Sequence, residues 1–116
     1  MAGTNTTSGS LTYSAGGSST VYQLSVPVAG TNFVEGTISV TTSAIAIPLG
    51  SIGTVGWMMI INLDPTNYVT VINGSSGTAL VKIKAGEFAL FRCASAAPYI
   101  QANTATCSVS YLAIEN

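Results

Sequence analysis

From Thr20 onward hydrophobic and polar positions pattern as short strands and turns, and no stretch keeps the 3.6-residue spacing of an amphipathic helix. Thr20 to Val28 places Tyr22, Leu24, Val26 and Val28 on one face and Gln23 and Ser25 on the other. Pro27 falls on the polar face and predicts an edge strand, because proline has no N–H to give a ladder. Thr37 to Thr41 also alternates, with Ile38 and Val40 inward, but Ile45 and Ile47 continue on the opposite parity. That phase flip around Thr42-Ser43 predicts a β-bulge or a strand break. Val55 to Leu63, VGWMMIINL, is apolar at both parities and reads as a central strand covered on both sides, with Trp57 as its core anchor.

Turn chemistry divides the rest. Asp64-Pro65-Thr66-Asn67 is a turn in which proline sets φ and the flanking Asp and Asn supply local hydrogen bonds. Tyr68 to Ile72 is the next strand, and Asn73-Gly74, extended by Ser75 to Gly77, is a strong hairpin signal. Ala79 to Lys84 and Glu87 to Arg92 flank Ala85-Gly86 as a tight hairpin. A two-residue loop there sets Lys84 opposite Glu87 and groups Lys82, Lys84, Glu87 and Phe91 on a wetter face, with Val81, Ile83, Phe88 and Leu90 on the other. Pro98 to Ala102 and Cys107 to Ile114, separated by a turn at Asn103-Thr104-Ala105, close the chain.

Eight or nine short strands spaced about ten residues apart predict an all-β, antiparallel β-sandwich or barrel. An eight-stranded jelly roll is the expected form. An immunoglobulin-like sandwich is the alternative, but its Cys-Trp-Cys order is absent, since Trp57 precedes both cysteines. The domain is expected to span 20–116. Residues 1–19 are Gly, Ser, Thr, Ala and Asn with Leu11 and Tyr13 as the apolar anchors, and read as an extended arm. Such an arm has little apolar surface with which to hold itself down, so a neighbouring subunit is expected to order it.

Composition sharpens this picture. At 116 residues the chain has room for one main core. Charged residues are 6% of it against about 25% in a typical soluble domain. They are Glu35, Asp64, Lys82, Lys84, Glu87, Arg92 and Glu115, while fifteen threonines and fourteen serines supply the polarity. Three cations are too few to neutralise a nucleic-acid backbone, so no nucleic-acid partner is expected. The longest strongly apolar run is far short of the ~20 residues of a spanning helix, nine aromatics are too few for the girdles of a membrane barrel, and no membrane role is expected. The start, MAGTNTTSGS, lacks the basic and apolar regions of a secretory signal. Cys93 and Cys107 are therefore expected to be two small buried hydrophobes rather than a disulfide.

Candidate chemistry is sparse. The chain has no histidine to act as base for its many serines or as a metal ligand. A carboxylate pair would have to come from Glu35, Asp64, Glu87 and Glu115, of which Asp64 reads as a turn residue and Glu87 as a salt-bridge partner. The glycines of GGSS and NGSSG are not followed by the Lys-Ser/Thr of a phosphate loop. No enzymatic activity, cofactor, metal or small-molecule substrate is expected. A surface so poor in ions is either hydrated through its hydroxyls or covered by other subunits. The second is preferred, because uncharged surface is cheaper to desolvate and charged residues are depleted at interface cores.

Three segments carry a resemblance: GWMMIINLDPTNYVTVING, VKIKAGEFALFRC and APYIQANTATCSVSYLAIEN, within Gly56 to Asn116. A strand ending in the Asn62-Leu63-Asp64 turn precedes a Tyr68-Val69 strand, a Lys84-Ala85-Gly86-Glu87-Phe88 hairpin follows, and a strand with Tyr111-Leu112 closes the chain. In this the chain resembles small virion structural proteins of tailed bacteriophages. The resemblance implies a β-sandwich assembled on a phage particle, with no catalytic residues to carry over. Its expected role is a capsid decoration, or cement, protein on the virion surface, assembled in the host cytoplasm. Its expected partners are the major capsid protein and copies of itself, as a trimer. The alternatives are a tail, baseplate or fibre component and a carbohydrate- or receptor-binding module. Leu11, Tyr13, Phe91 and Tyr99 are the expected interface residues, and Tyr13, Phe91 and Tyr99 are also the aromatics that a glycan site would use.

Overall fold

The structure is a computed structural model; it describes residues 3–13, 15–28 and 30–116, with the side chains of Asn5, Thr12, Tyr13 and Val26 excepted. It contains ten strands and, among the described residues, no helix. The chain divides into two compact units, Met1–Thr31 and Asn32–Asn116.

The first unit is a hairpin. Strand β1 (Gly3–Tyr13) pairs antiparallel with β2 (Ser18–Val28), from Gly3 opposite Val28 to Tyr13 opposite Ser18. Gly17, at φ 67°, makes the return, a left-handed conformation that a side chain disfavours. Pro27 sits opposite Thr4, and in a two-stranded ribbon its missing N–H disturbs no third strand. The sequence boundary between an arm, 1–19, and a sandwich, 20–116, thus falls inside β2, and the division lies at Thr31 and Asn32. The physical reason is that a ladder is made by backbone groups. Threonine and serine strands need no apolar face to pair, and Gly16-Gly17 is a hairpin turn signal inside what reads as a linker.

The second unit carries eight strands: β3 (Phe33–Val40), β4 (Ile45–Ala46), β5 (Val55–Asn62), β6 (Val69–Asn73), β7 (Ala79–Ile83), β8 (Phe88–Arg92), β9 (Pro98–Ala102) and β10 (Cys107–Glu115). They form two antiparallel four-stranded sheets, ordered β3-β10-β5-β8 and β4-β9-β6-β7. Met58, Ile60, Val109 and Tyr111 of the first sheet and Val69, Val71, Ile83 and Ile100 of the second belong to one buried cluster, an arrangement compatible with a β-sandwich. Each fully buried aliphatic side chain there contributes about 1.5–3 kcal/mol of transfer free energy.

The phase flip at Thr42-Ser43 is a strand break, where the chain leaves the first sheet at Val40 and enters the second at Ile45. The Ala85-Gly86 turn needs correction. Glu87 N donates to Lys84 O at 3.0 Å and Gly86 has φ 75°, so the tight turn exists. Yet β7 pairs only with β6 and β8 only with β5, so the chain changes sheets there instead of making a hairpin. The ladder between β5 and β8 runs on through Asn62: its N–H donates to Glu87 O and its C=O accepts from Gly86 N. The face assignment of β8 inverts as a result. Phe91 pairs with Met58 and packs against the core, while Phe88 is exposed. The Glu87 carboxylate accepts a hydrogen bond from the Lys84 backbone N–H at 3.1 Å.

β5 is central, between β10 and β8, but Trp57 is not its core anchor. Met58, Ile60 and Asn62 point inward and are buried, and Trp57, Met59 and Ile61 point outward and are half-buried. Asn62 is fully buried and polar; its amide donates to Asn67 O at 2.9 Å and, across the core, to Ile83 O at 3.1 Å, and its Oδ1 accepts from Asp64 N. Buried polar atoms need such partners. At the other end Glu115 accepts from Gly53 N at 2.7 Å and from Asn32, and the Tyr111 hydroxyl donates to Pro48 O at 2.8 Å. Cys93 and Cys107 are free thiols, half-buried and buried, in keeping with two small hydrophobes.

Candidate assembly surfaces

The outer face of β3-β10-β5-β8 follows from cross-strand register. Leu112 lies opposite Glu35 on one side and Met59 on the other, and Met59 lies opposite Leu90. The adjacent rows add Ile114 beside Phe33 and Ile61 beside Phe88. Phe33 is 63% exposed and Phe88 59%. The face is a continuous apolar surface grading into Thr37, Ser39, Ser108 and Ser110 at one end. Among the described residues its charges are two, Glu35 on the β3 edge and Arg92 on the β8 edge. The Arg92 guanidinium lies 5.7 Å from the Trp57 ring centre and donates to Asn116 Oδ1 at 2.8 Å. The Trp57 indole N–H is buried and has no hydrogen-bond partner among the described residues.

The outer face of β4-β9-β6-β7 is built from the same alternation with different side chains. Thr70 lies between Gln101 and Lys82, and Tyr99 between Ala46 and Ile72. Gln101 donates to Thr42 O at 2.6 Å, and the Lys82 ammonium sits 4.1 Å from the Tyr68 ring centre. Gln101 and Lys82 thus find their partners within the unit.

The hairpin unit offers a third surface. Leu11 is 80% exposed, and Val21 and Tyr22 are exposed as well. In this two-stranded sheet β1 and β2 each have one partner. An isolated hairpin is marginal in water, and an unpaired strand edge is a template for another chain.

The four residues singled out in the sequence are not gathered in one place. Leu11 lies on β1, Phe91 faces the core of the second unit, and Tyr99 lies on the outer face of its second sheet. The Tyr13 side chain lies outside the described residues. Sequence reasoning missed Phe33, Met59, Phe88, Leu90 and Leu112. The signal was present: β5 and the end of β10 are apolar at both parities, while the chain predicts no helix to form a third layer that would cover them.

Asp64 and Cys107 are each set by their structural surroundings. Asp64 accepts from Asn67 N at 2.6 Å and Thr66 N at 2.9 Å, and these two bonds hold its carboxyl below the ordinary value. Burial, followed by the charge of Asp64, pushes the Cys107 thiol up, which disfavours the nucleophilic thiolate. No group of three or more metal-ligating side chains occurs among the described residues, and no helix there is long and apolar enough to cross a membrane. A cavity of about 190 Å³, lined by residues such as Val81, Phe91, Cys93 and Pro98, is smaller than the ~300 Å³ at which small-molecule sites begin. Compared with protein-family models, curated proteins and solved structures, the chain matches none of them.

Proposed function

We propose that this chain is a bacteriophage virion structural protein, a capsid decoration protein that stabilises the head by binding across major capsid subunits. One observation carries the reading: a chain with seven charged side chains presents a two-stranded hairpin that forms a compact unit of its own, with Leu11, Val21 and Tyr22 exposed. Such a ribbon gains most of its stability from whatever it docks on. Strand addition to a neighbouring sheet would extend this two-stranded ladder through the backbone, with little need for charge. The hairpin is then the tether to the shell, and separating shell subunits requires stripping it off.

The strand order of the second unit supports a jelly-roll reading. Numbered from its own first strand, the sheets run 1-8-3-6 and 2-7-4-5. Strands 1 and 8, 2 and 7, 3 and 6, and 4 and 5 are all neighbours, as in a ribbon folded at its midpoint and rolled up. Jelly rolls recur in viral capsid proteins and in lectins. The lectin reading is less favoured here, because Phe91 and Tyr99 face different ways and form no aromatic platform.

The test is occupancy on heads assembled from the major capsid protein of the same phage. The full chain is expected to sediment with heads, and deletion of residues 2–28 is expected to abolish that. Unchanged occupancy after the deletion removes the hairpin from the mechanism. Recovery of the protein with tails, after heads and tails are separated, assigns it to the tail, baseplate or fibre instead.

A further inference from the structure

The geometry points to a second copy of this chain on the outer face of β3-β10-β5-β8, related by a two-fold axis that runs along the strands. The inference rests on the assembly reading only in treating this face as an interface, and it needs no shell protein.

The charges select the occupant and the axis. The face is apolar apart from the hydroxyls at its Thr37 and Ser108 end, and it carries two charges among the described residues, Glu35 on one edge and Arg92 on the other. Two such faces stacked about an axis along the strands lay the β3 edge of each copy over the β8 edge of its partner. Glu35 is level with Leu90, two residues from Arg92 on the same strand face, or about 7 Å along the strand. Two long side chains span that offset, and the symmetry makes the contact twice, as an isologous interface requires. An axis across the strands would instead set Glu35 against Glu35 and Arg92 against Arg92, which is repulsive. The self-complementary arrangement therefore has one sense.

The area suffices. Strands of about seven residues and four strands at ~4.8 Å give a footprint of roughly 450 Å² per copy, and about 1,000 Å² for the pair once side-chain relief is included. That reaches the lower bound of a specific interface. The Trp57 indole, whose buried N–H has no partner among the described residues, and the exposed Phe33 and Phe88 belong to the face that a partner copy would cover. The other sheet's outer face, with Thr70, Gln101 and Lys82, has no such charge symmetry.

Sedimentation equilibrium of the full chain alone is expected to give a dimer. Glu35→Lys and Arg92→Glu each weaken it at least roughly tenfold by placing like charges together, and the double variant Glu35→Lys/Arg92→Glu restores it. That rescue separates lost contact from misfolding, and Lys82→Glu on the opposite sheet leaves the dimer unchanged. A monomer at ~100 µM, a trimer, or a dimer indifferent to Glu35→Lys overturns the proposal. So does a dimer that survives both charge changes but dissociates when residues 2–28 are deleted, which would make the hairpin the contact. Head occupancy is read separately, so a failed dimer and a failed decoration role are distinguishable.

Discussion

The two sheets of the second unit share a core but differ on the sides that face away from it. Outside β4-β9-β6-β7, Thr70, Gln101 and Lys82 hold a hydroxyl, an amide and an ammonium, and the last two have partners within the unit. Outside β3-β10-β5-β8, Leu112, Met59 and Leu90 form an apolar row whose charged member stands at its β3 edge. Both sheets pair antiparallel, and the contrast between their outer faces lies in alternate side chains. It teaches that a strand apolar at both parities does not imply a covering layer in the same chain.

Neighbouring residues on β5 give the sharpest way to break the contrast. Ile60, fully buried, loses about 2–5 kcal/mol of stability on Ile60→Ala through lost transfer energy and a cavity. Ile61→Ala, one residue on and pointing outward, costs under ~1 kcal/mol and instead weakens self-association. Urea denaturation and sedimentation of the two variants read the two effects, and equal stability losses would erase the inner and outer distinction.

A smaller effect concerns the polar link between the sheets. Asn62→Ala strands the Asp64 N–H and the Asn67 and Ile83 carbonyls, at an expected cost of ~1–3 kcal/mol in denaturant. A negligible change would mean that the sheets are joined by apolar packing alone.

The smallest effect is pH-dependent. Hydrogen bonds from Asn67 and Thr66 lower the Asp64 pKa in the folded state. Its contribution is therefore fully present above the unfolded value of about 3.9 and is lost as pH falls through the lower folded value. Thermal melts are expected to lose Tm below about pH 4, and less steeply in Asp64→Asn. An identical acid slope in both proteins would detach this turn from acid sensitivity.

Much of the second unit was legible in the sequence. Pro98 to Ala102 is the strand the alternation predicts, and Val55 to Asn62 differs from its prediction by one residue. The misreadings share a cause. A two-residue turn looks the same locally whether its strands pair or part, since Glu87 N reaches Lys84 O either way. β8 pairs with β5, whose last residue, Asn62, lies more than twenty residues earlier in the chain, and that long-range pairing turned Phe91 inward and Phe88 outward. In the first unit, low apolar content hid a ladder that backbone groups alone complete. Tyr99 lies on an internal strand, so its neighbours depend on a register that no single stretch encodes.

The lone tryptophan of the chain turns its indole toward the apolar exterior, under the Arg92 guanidinium. Fluorescence of the protein is therefore dominated by one chromophore placed beside the surface in question. Shifts in its emission wavelength or its quenching by iodide become an internal gauge of whether that side is wet or covered, without a label and at micromolar dilution.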